Sequence, residues 1–553
     1  MTKENSIFMK KISIALTFGL LFYSNITQPN SNQSYAAFCD EDDDDFFSDD
    51  PLNNISLTNS DSFKIATHRG SSENIALWAL GLQSLSNPEA LLNQNIYNYT
   101  APLRTRPILE YPFALTYGFD TQEGNSVSAM LFVNTTPAKN FTKDSTHLDS
   151  YLDINNQDRI DILEEIAAFI PDDQPITIGD SLALFAPLKV LEARIGILFE
   201  AHVVRNKLSM TAQLPVLYTA RKLSLTQAEE AAIDSSPLAA LLVGDGSINP
   251  DTFKRQHFGV DQVGFGDFKF KMMYECHRSD VFDVYFGGFV ILPTEHAFHT
   301  GLIGASLPQN NVRPTINLAN IDPTNVTLAN KDAIADFFLA TLDKLASNIL
   351  YSPLGNNSHV VIAPSLNFDW FFTDRWNFAS DYSLQIPFPG PEARFYKKVQ
   401  SAAAFTAEFN AASAESDAAL VEFANQKIED LFIPYVFNTS VFPGIVINST
   451  NQFVYDHNQW DFAFGANFWY QSAEKLQNIN LPQNGSPASA DYNYDMAAAT
   501  AHSVAQEKLF AKINYTLDHT NYSWSLSAYG DITIWNSGIG NDFTLGICAD
   551  CRF

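Results

Sequence analysis

The chain of 553 residues has room for one large domain or several smaller ones, and its acidic residues outnumber the basic ones 62 to 33, a formal charge of −29. So strong a negative balance argues against nucleic acid as a partner. Four cysteines are too few for a disulfide framework at this length, whereas 44 phenylalanines, in a chain that is 13% aromatic, need somewhere to sit.

At the N-terminus, Lys10 and Lys11 precede the apolar run "ISIALTFGLLFYS" (Ile12 to Ser24), and a polar stretch then leads to "SYA" (Ser34 to Ala36). A basic region, a short apolar core and a small-x-small site predict a signal peptide over 1–36 and export. A start at Met9 would make the basic region more typical. The run is too short to span a bilayer, and no later run reaches the roughly 18 apolar residues of a spanning helix. Phe38, rather than a small residue, precedes Cys39, which argues against a lipoprotein anchor. The tract "CDEDDDDFFSDD" (Cys39 to Asp50) lacks the glycine and spaced ligands of a calcium loop, so it reads as a solvated tail. Residues 37–106 form an acidic segment, read as either a plug or a first strand.

From residue 107 one pattern repeats to the end. Apolar residues fall at every second position, as in a strand with one apolar face. The pattern predicts strands over 107–119, 125–136, 190–203, 206–219, 266–276, 280–293, 359–372, 376–388, 438–449, 457–472, 506–517, 522–535 and 541–553. Pro364 interrupts one of them, which a bulge tolerates. Short links between 119 and 125, 204 and 207, 276 and 281, 372 and 376, and 517 and 522 alternate with long ones. The long ones lie at 137–189, 221–260, 295–357, 389–437 and 473–505, with a middling link near 450–456 and a brief one at 536–540.

Short turns on one side and long loops on the other mark an outer-membrane barrel, periplasmic turns facing extracellular loops. A soluble sandwich has no reason to keep that parity. Bacterial single-chain barrels have even strand numbers, so thirteen strands ask for one more, near "SFKIATH" (Ser62 to His68). The expected fold is an all-β antiparallel transmembrane barrel over 107–553, of about 14 strands within a range of 12–16. Helix-like text at Asn330 to Leu350 and Glu415 to Phe432 predicts surface lids in the long loops or, folded inward, plug elements.

The last strand, "NDFTLGICADCRF", contains a C-x-x-C pair, a spacing that elsewhere signals zinc or a redox dithiol. Here Phe543, Leu545, Ile547, Ala549, Cys551 and Phe553 alternate with Asp542, Thr544, Gly546, Cys548, Asp550 and Arg552. Residues three apart in a strand point to opposite faces, so Cys548 and Cys551 diverge. No metal is expected there. With Phe553 at the terminus, the stretch resembles the C-terminal signal of Gram-negative outer-membrane barrels. That resemblance implies recognition of Phe553, Cys551, Ile547, Leu545 and Phe543 by the barrel-insertion machinery. A second stretch, "VGFGDFKFKMMYECHRSDVFDVYFGGFVILPT" (Val263 to Thr294), resembles the G-x-G-D strand, turn and strand ending in L-P-T of transporter-like barrels from phenol-degradation (meta-cleavage) gene clusters. Gly264, Gly266, Asp267, Leu292, Pro293 and Thr294 match, whereas Met272 and Met273 depart from it.

If the apolar register faces outer-membrane lipid, the alternate register faces the pore. It collects Glu192, Arg194, Glu200, His202, Asp267, Lys269, Lys271, Glu275, Asn367, Asp369, Asp381, Gln385, Lys512, Asn514 and Asp531. Both signs occur, so no ring of one charge is expected. Glu200 and His202 share a face, which permits a base and its orienter, but no serine motif accompanies them. His296 and His299 lack a third ligand at useful spacing. The expected function is a porin or transporter of the outer membrane for small solutes, hydrophobic ones included, with no cofactor and no enzymatic activity. A structural or adhesin-like barrel binding partners through its long loops is the alternative, and an outer-membrane enzyme stands third.

Overall fold

The residues that alternate form strands, and the strands close on themselves. The computed structural model describes residues 100–115, 124–151, 188–224, 259–300, 348–399, 402–416, 435–480, 493–519 and 522–553, with single positions at 231, 346, 419 and 423. The expected signal peptide, the acidic tract, Ser62 to His68 and nearly all of Asn330 to Leu350 and Glu415 to Phe432 lie outside them. The strands are β1 (Gly124–Ala138), β2 (Lys189–Arg205), β3 (Leu208–Ser224), β4 (Gly259–Phe265), β5 (Phe268–Arg278), β6 (Phe282–Leu292) and β7 (His296–Thr300). They continue as β8 (Val361–Phe371), β9 (Trp376–Pro387), β10 (Gly390–Tyr396), β11 (Lys398–Val399), β12 (Tyr435–Phe442) and β13 (Val446–His457). Last come β14 (Trp460–Gln471), β15 (Lys475–Asn480), β16 (Asn493–Tyr494), β17 (Val504–Asp518), β18 (Ser523–Ser537) and β19 (Asn541–Arg552).

Twelve of these close an antiparallel ring in the order β2-β1-β19-β18-β17-β14-β13-β9-β8-β6-β5-β3, with β3 pairing back to β2. Adding β4 and β7 at the edge makes the hydrogen-bonded sheet 14-stranded. Strand existence follows the alternation closely, and two elements depart from it. The first is 107–119. Its described part is a 3-10 turn at Ile108–Glu110 and a short helix at Pro112–Leu115, outside any sheet. Pro107 precedes the turn and Pro112 opens the helix, positions where a missing N–H costs nothing. The second is 438–449. Chain there belongs to β12 up to Phe442 and to β13 from Val446, and the turn expected near 450–456 lies instead between His457 and Trp460. Pro443 and Gly444, the latter at φ +95°, break the strand where the text alone ran on.

Several wall strands extend past the ring through such breaks. β4 and β5 form one stave bent at Gly266-Asp267, and β6 and β7 another bent at Pro293 to Glu295. β3 therefore pairs with β5 over Leu208 to Gln213 and with β4 over Val216 to Lys222. The matching glycine and threonine of the family-like motif build this bend. Thr294 Oγ1 donates to Gly266 O at 3.1 Å, and a Cβ on Gly266 would come within 2.8 Å of Pro215. Asp267 accepts from Asn356 N, and Glu295 from Gly355 N at 2.9 Å, so the chain entering β8 is tied to the same bend. β10, β12 and β15 likewise make a three-stranded sheet beyond the ring. At Pro364 the pairing of β8 with β9 lapses over two residues and resumes in the same register. In that neighbourhood of long links, the helix described runs Ala402–Glu415, upstream of the expected one.

The outward face of the ring is apolar. Leu545, Ile547 and Leu526 are 60%, 58% and 58% exposed, and Phe462, Phe464, Ile532 and Phe199 also face out. The inward face is buried.

Candidate functional site

What buries the inward face is the chain itself. Residues 100–115 run through the ring, from Thr100, whose N–H donates to Ala498 O in the link between β14 and β17, to Ala114, whose carbonyl accepts from Gln213 on β3 at 2.9 Å. The prolines leave the segment without the regular partners of a strand, so its polar groups turn to the wall. Arg106, fully buried, donates to Gln506 Oε1 at 3.0 Å and Asn467 Oδ1 at 2.7 Å. Glu110 accepts from the Trp469 indole, and its carbonyl accepts from Asn448 at 2.9 Å. Arg194 donates to Arg106 O at 2.7 Å, to Asn134 Oδ1 at 2.8 Å and to the Tyr111 hydroxyl. Tyr111 in turn donates to Asp542. At the far end Arg104 donates to Pro443 O at 3.0 Å.

Asp542 is a hub. Its carboxylate accepts from Gln506 at 2.8 Å, Thr533 at 2.6 Å and Lys508 at 2.6 Å, besides Tyr111 and Asn134. Lys508 bridges it to Asp531, also at 2.6 Å, and Tyr529 donates to Asp531 at 2.8 Å. A second knot holds Glu192 against Arg221, Arg194 at 3.3 Å and Lys139 at 3.8 Å, and Arg221 reaches Thr105 on the threaded segment. Below these, Phe113 packs on Phe132 and Tyr529, with ring centroids 5.1 and 5.8 Å apart, in an apolar cluster that includes Met130, Phe510 and Cys548.

Of the fifteen residues expected to line the pore, fourteen stand in the inward register of the wall strands, and Asp267 lies at the bend between β4 and β5. Glu192, Arg194, Glu200, Asp267, Lys269, Glu275, Asp381 and Asp531 are buried, and His202, Lys271, Asp369, Lys512 and Asn514 are half-buried. The structure does not gather all of them into one site, although Glu200, His202, Lys269 and Lys271 line one cavity. Arg194, Glu192 and Asp531 hold the threaded segment or its network. Lys271 pairs with Asp381 at 2.6 Å, and Glu275 with Arg278 at 3.3 Å. Glu200 accepts from Gln213 at 2.6 Å, while His202 bonds Ser209 at 2.7 Å, so the two have separate partners. Asp267 belongs to the bend. Cys548 is buried and Cys551 half-exposed, on opposite faces, as strand geometry requires. Phe543, Leu545, Ile547 and Phe553 point outward.

Reading 37–106 as either a plug or a first strand allowed for residues 100–106 in the lumen, but sequence reasoning placed 107–115 in the wall and did not single out the anchors Arg104, Arg106, Glu110, Tyr111 and Trp469. A signal was present: "PLRTRPILEYP" carries two arginines and three prolines and no sustained alternation. The inward register also proves less polar than expected, because Met130, Phe132, Leu198, Phe289, Phe510 and Tyr529 pack there.

A cavity lies between Ala114 and Leu115 of the segment and the wall. It is partly open and is lined by Glu200, His202, Gln213, Lys269, Lys271 and Met273 among others.

No protein-family model matches the chain, and no curated protein matches it. Solved structures similar to it include an outer membrane channel from Pseudomonas putida F1, at 7% identity over 78% of this chain and 97% of that one, TM-score 0.38. The Pseudomonas putida toluene transporter TodX is 8% identical over 84% and 97%, TM-score 0.25, and the Ralstonia pickettii toluene transporter TbuX 10% identical over 78% and 90%, TM-score 0.26. The first of these is an outer membrane channel, and the other two are toluene transporters. At such identities the likeness is a loose one of fold, and nothing about solute follows from it.

Proposed function

We propose that the protein is an outer-membrane channel for small solutes, hydrophobic ones included, closed at rest by residues 100–115 acting as a plug. The observation that carries the reading is the ring of inward side chains bonded to that segment. Arg194, Gln213, Arg221, Lys269, Asn448, Asn467, Trp469, Gln506 and Asp542 reach it from seven different strands. A barrel serving only as a surface scaffold has no need of a fastened interior. Polar fastening together with the apolar packing around Phe113 fills the lumen, as inserted segments do in plugged barrels. The outward apolar belt fits bilayer lipid, and Phe553 with Cys551, Ile547, Leu545 and Phe543 fits the terminal signal of assembly. Residues 1–36 serve as the cleaved signal peptide, so the N-terminus of protein from outer-membrane fractions should be Ala37.

Swelling of liposomes carrying the refolded protein tests the closure. The intact chain should admit a small sugar slowly, and a variant lacking 100–115 should admit it quickly while still migrating as a heat-modifiable barrel. If both swell alike, residues 100–115 are not a plug.

A further inference from the structure

The cavity under Ala114 and Leu115 raises a question that the plug does not answer. Lys269 is 2% exposed, yet no carboxylate of the described residues lies within 4 Å of its ammonium group. Its partners are one long bond to Leu109 O, at 3.4 Å, and the face of the Phe289 ring, 4.6 Å from the nitrogen. A buried ammonium with so little compensation is costly. Of the acids nearby, Asp381 is paired with Lys271, and Glu200, which accepts from the neutral amide of Gln213, lies beyond 4 Å of Lys269. His202, beside them, bonds Ser209. Among the described residues the lining therefore offers one cation without an ion pair within 4 Å, Lys269, and a second, Lys271, whose pairing leaves ammonium protons over. It also offers an apolar wall from Met273, Ala114 and Leu115.

We propose that this cavity binds a small organic monocarboxylate, its charge on Lys269 and its apolar part against Met273 and Leu115. The inference rests on the channel reading above and narrows its solute class. A carboxylate supplies the charge-assisted hydrogen bond that Lys269 lacks, shorter and stronger than its present bond to a neutral carbonyl. A neutral molecule of the same shape fills the space and leaves the cation uncompensated. A cation is repelled by it. Placed directly beneath the plug, a bound anion meets the barrel wall and Ala114–Leu115 together.

Equilibrium dialysis of the refolded protein in detergent, with benzoate and benzamide as probes, tests this without any transport step. Benzoate should bind about tenfold or more tightly than benzamide, the scale of one charged hydrogen bond. The preference should vanish in Lys269→Gln and persist in Lys269→Arg, each checked for heat-modifiable migration. Equal binding of the two probes, or unchanged benzoate affinity in Lys269→Gln, overturns the proposal. Should Lys269→Gln fail to fold, the two probes on the unaltered protein decide it. Binding of benzoate by a protein that never swells liposomes, even without 100–115, would count against the channel and leave the site standing.

Discussion

Two lysines on opposite sides of the same lumen have opposite surroundings. Lys508, on β17, sits between Asp531 and Asp542, each 2.6 Å away, in a network that reaches the threaded segment through Tyr111. Lys269, on β5, is as deeply buried but leans on one carbonyl and one ring. The strands are equivalent in register, so the strand pattern cannot tell the two apart. What separates them is the wall opposite and the stretch of threaded chain that each one meets. Beside Tyr111 the lumen is a fastening, whereas beneath Ala114 it is a cavity.

The contrast breaks most visibly at Lys508. Replacing it by Met leaves Asp531 and Asp542 buried near each other with no cation between them. Removing one partner of a buried pair costs roughly 3–5 kcal/mol. Lys508→Met should therefore unfold at markedly lower urea in lipid vesicles and lose part of its heat-modifiable band. An unchanged midpoint would show that the network is slack and that the plug is held elsewhere.

A somewhat smaller effect tests the faces on which the comparison depends, since a one-residue slip exchanges outside and inside for a whole strand. Phe464 is 52% exposed on the outward face. Arginine there should destabilise a membrane barrel by about 2–4 kcal/mol near the midplane. The inward partner for the test is Asn514 rather than Asn467. Asn467 is closed in against Arg106, so a second guanidinium there has no room or counter-charge. Asn514 is half-buried and donates to Asp461 at 2.9 Å, so an arginine in its place gains a carboxylate. Asn514→Arg should cost little in reversible unfolding and alter single-channel current instead. If Asn514→Arg unfolds the protein while Phe464→Arg is silent, the membrane barrel itself is refuted.

Between these sits Trp469, whose indole donates to Glu110. Trp469→Phe keeps most of the ring volume and leaves the Glu110 carboxylate one donor short, a loss of about 1–3 kcal/mol for a buried charged acceptor. The effect should be read on closure more than on folding. Single-channel recordings should show more frequent openings, with the unfolding midpoint moving less than in Lys508→Met. Unaltered opening would detach Glu110 from the plug's hold.

Much of this was legible in the sequence. Lipid-type and lumen-type faces could be assigned residue by residue, because the side-chain period of a strand is 2 and the belt must be apolar. The pairing of His202 with Ser209 and of Lys271 with Asp381 was not legible, because cross-strand neighbours depend on register. Nor was the course of 107–115 through the lumen. Pro107 and Pro112 deny 107–119 a place in a ladder, yet its apolar residues, Ile108, Leu109 and Phe113, look like wall until the ring is known to be full. The count fell from thirteen strands in the described region to a closed ring of twelve for that one reason. The break at Pro443-Gly444 moved a turn by several residues without changing the number of strands.

The smallest expected effect falls on Lys269, and it bears most directly on the contrast. If the lysine is an uncompensated cation kept for a ligand, its removal in the absence of ligand should cost the fold little. Met is close in length, packs against Phe289 and Met273, and needs no counter-charge. Exchanging poorly paired buried charge for apolar side chains is often neutral or stabilising. Lys269→Met should therefore unfold within about 1 kcal/mol of the parent in vesicles, on either side, the range of a volume-conserving swap. Lys508→Met under the same conditions sets the scale of a fastened lysine. A loss at Lys269 as large as at Lys508 would mean that the bond to Leu109 anchors the plug, and both sides of the lumen would then be fastenings. A neutral result with benzamide binding kept and benzoate binding lost would mark Lys269 as a residue the fold tolerates and the solute requires.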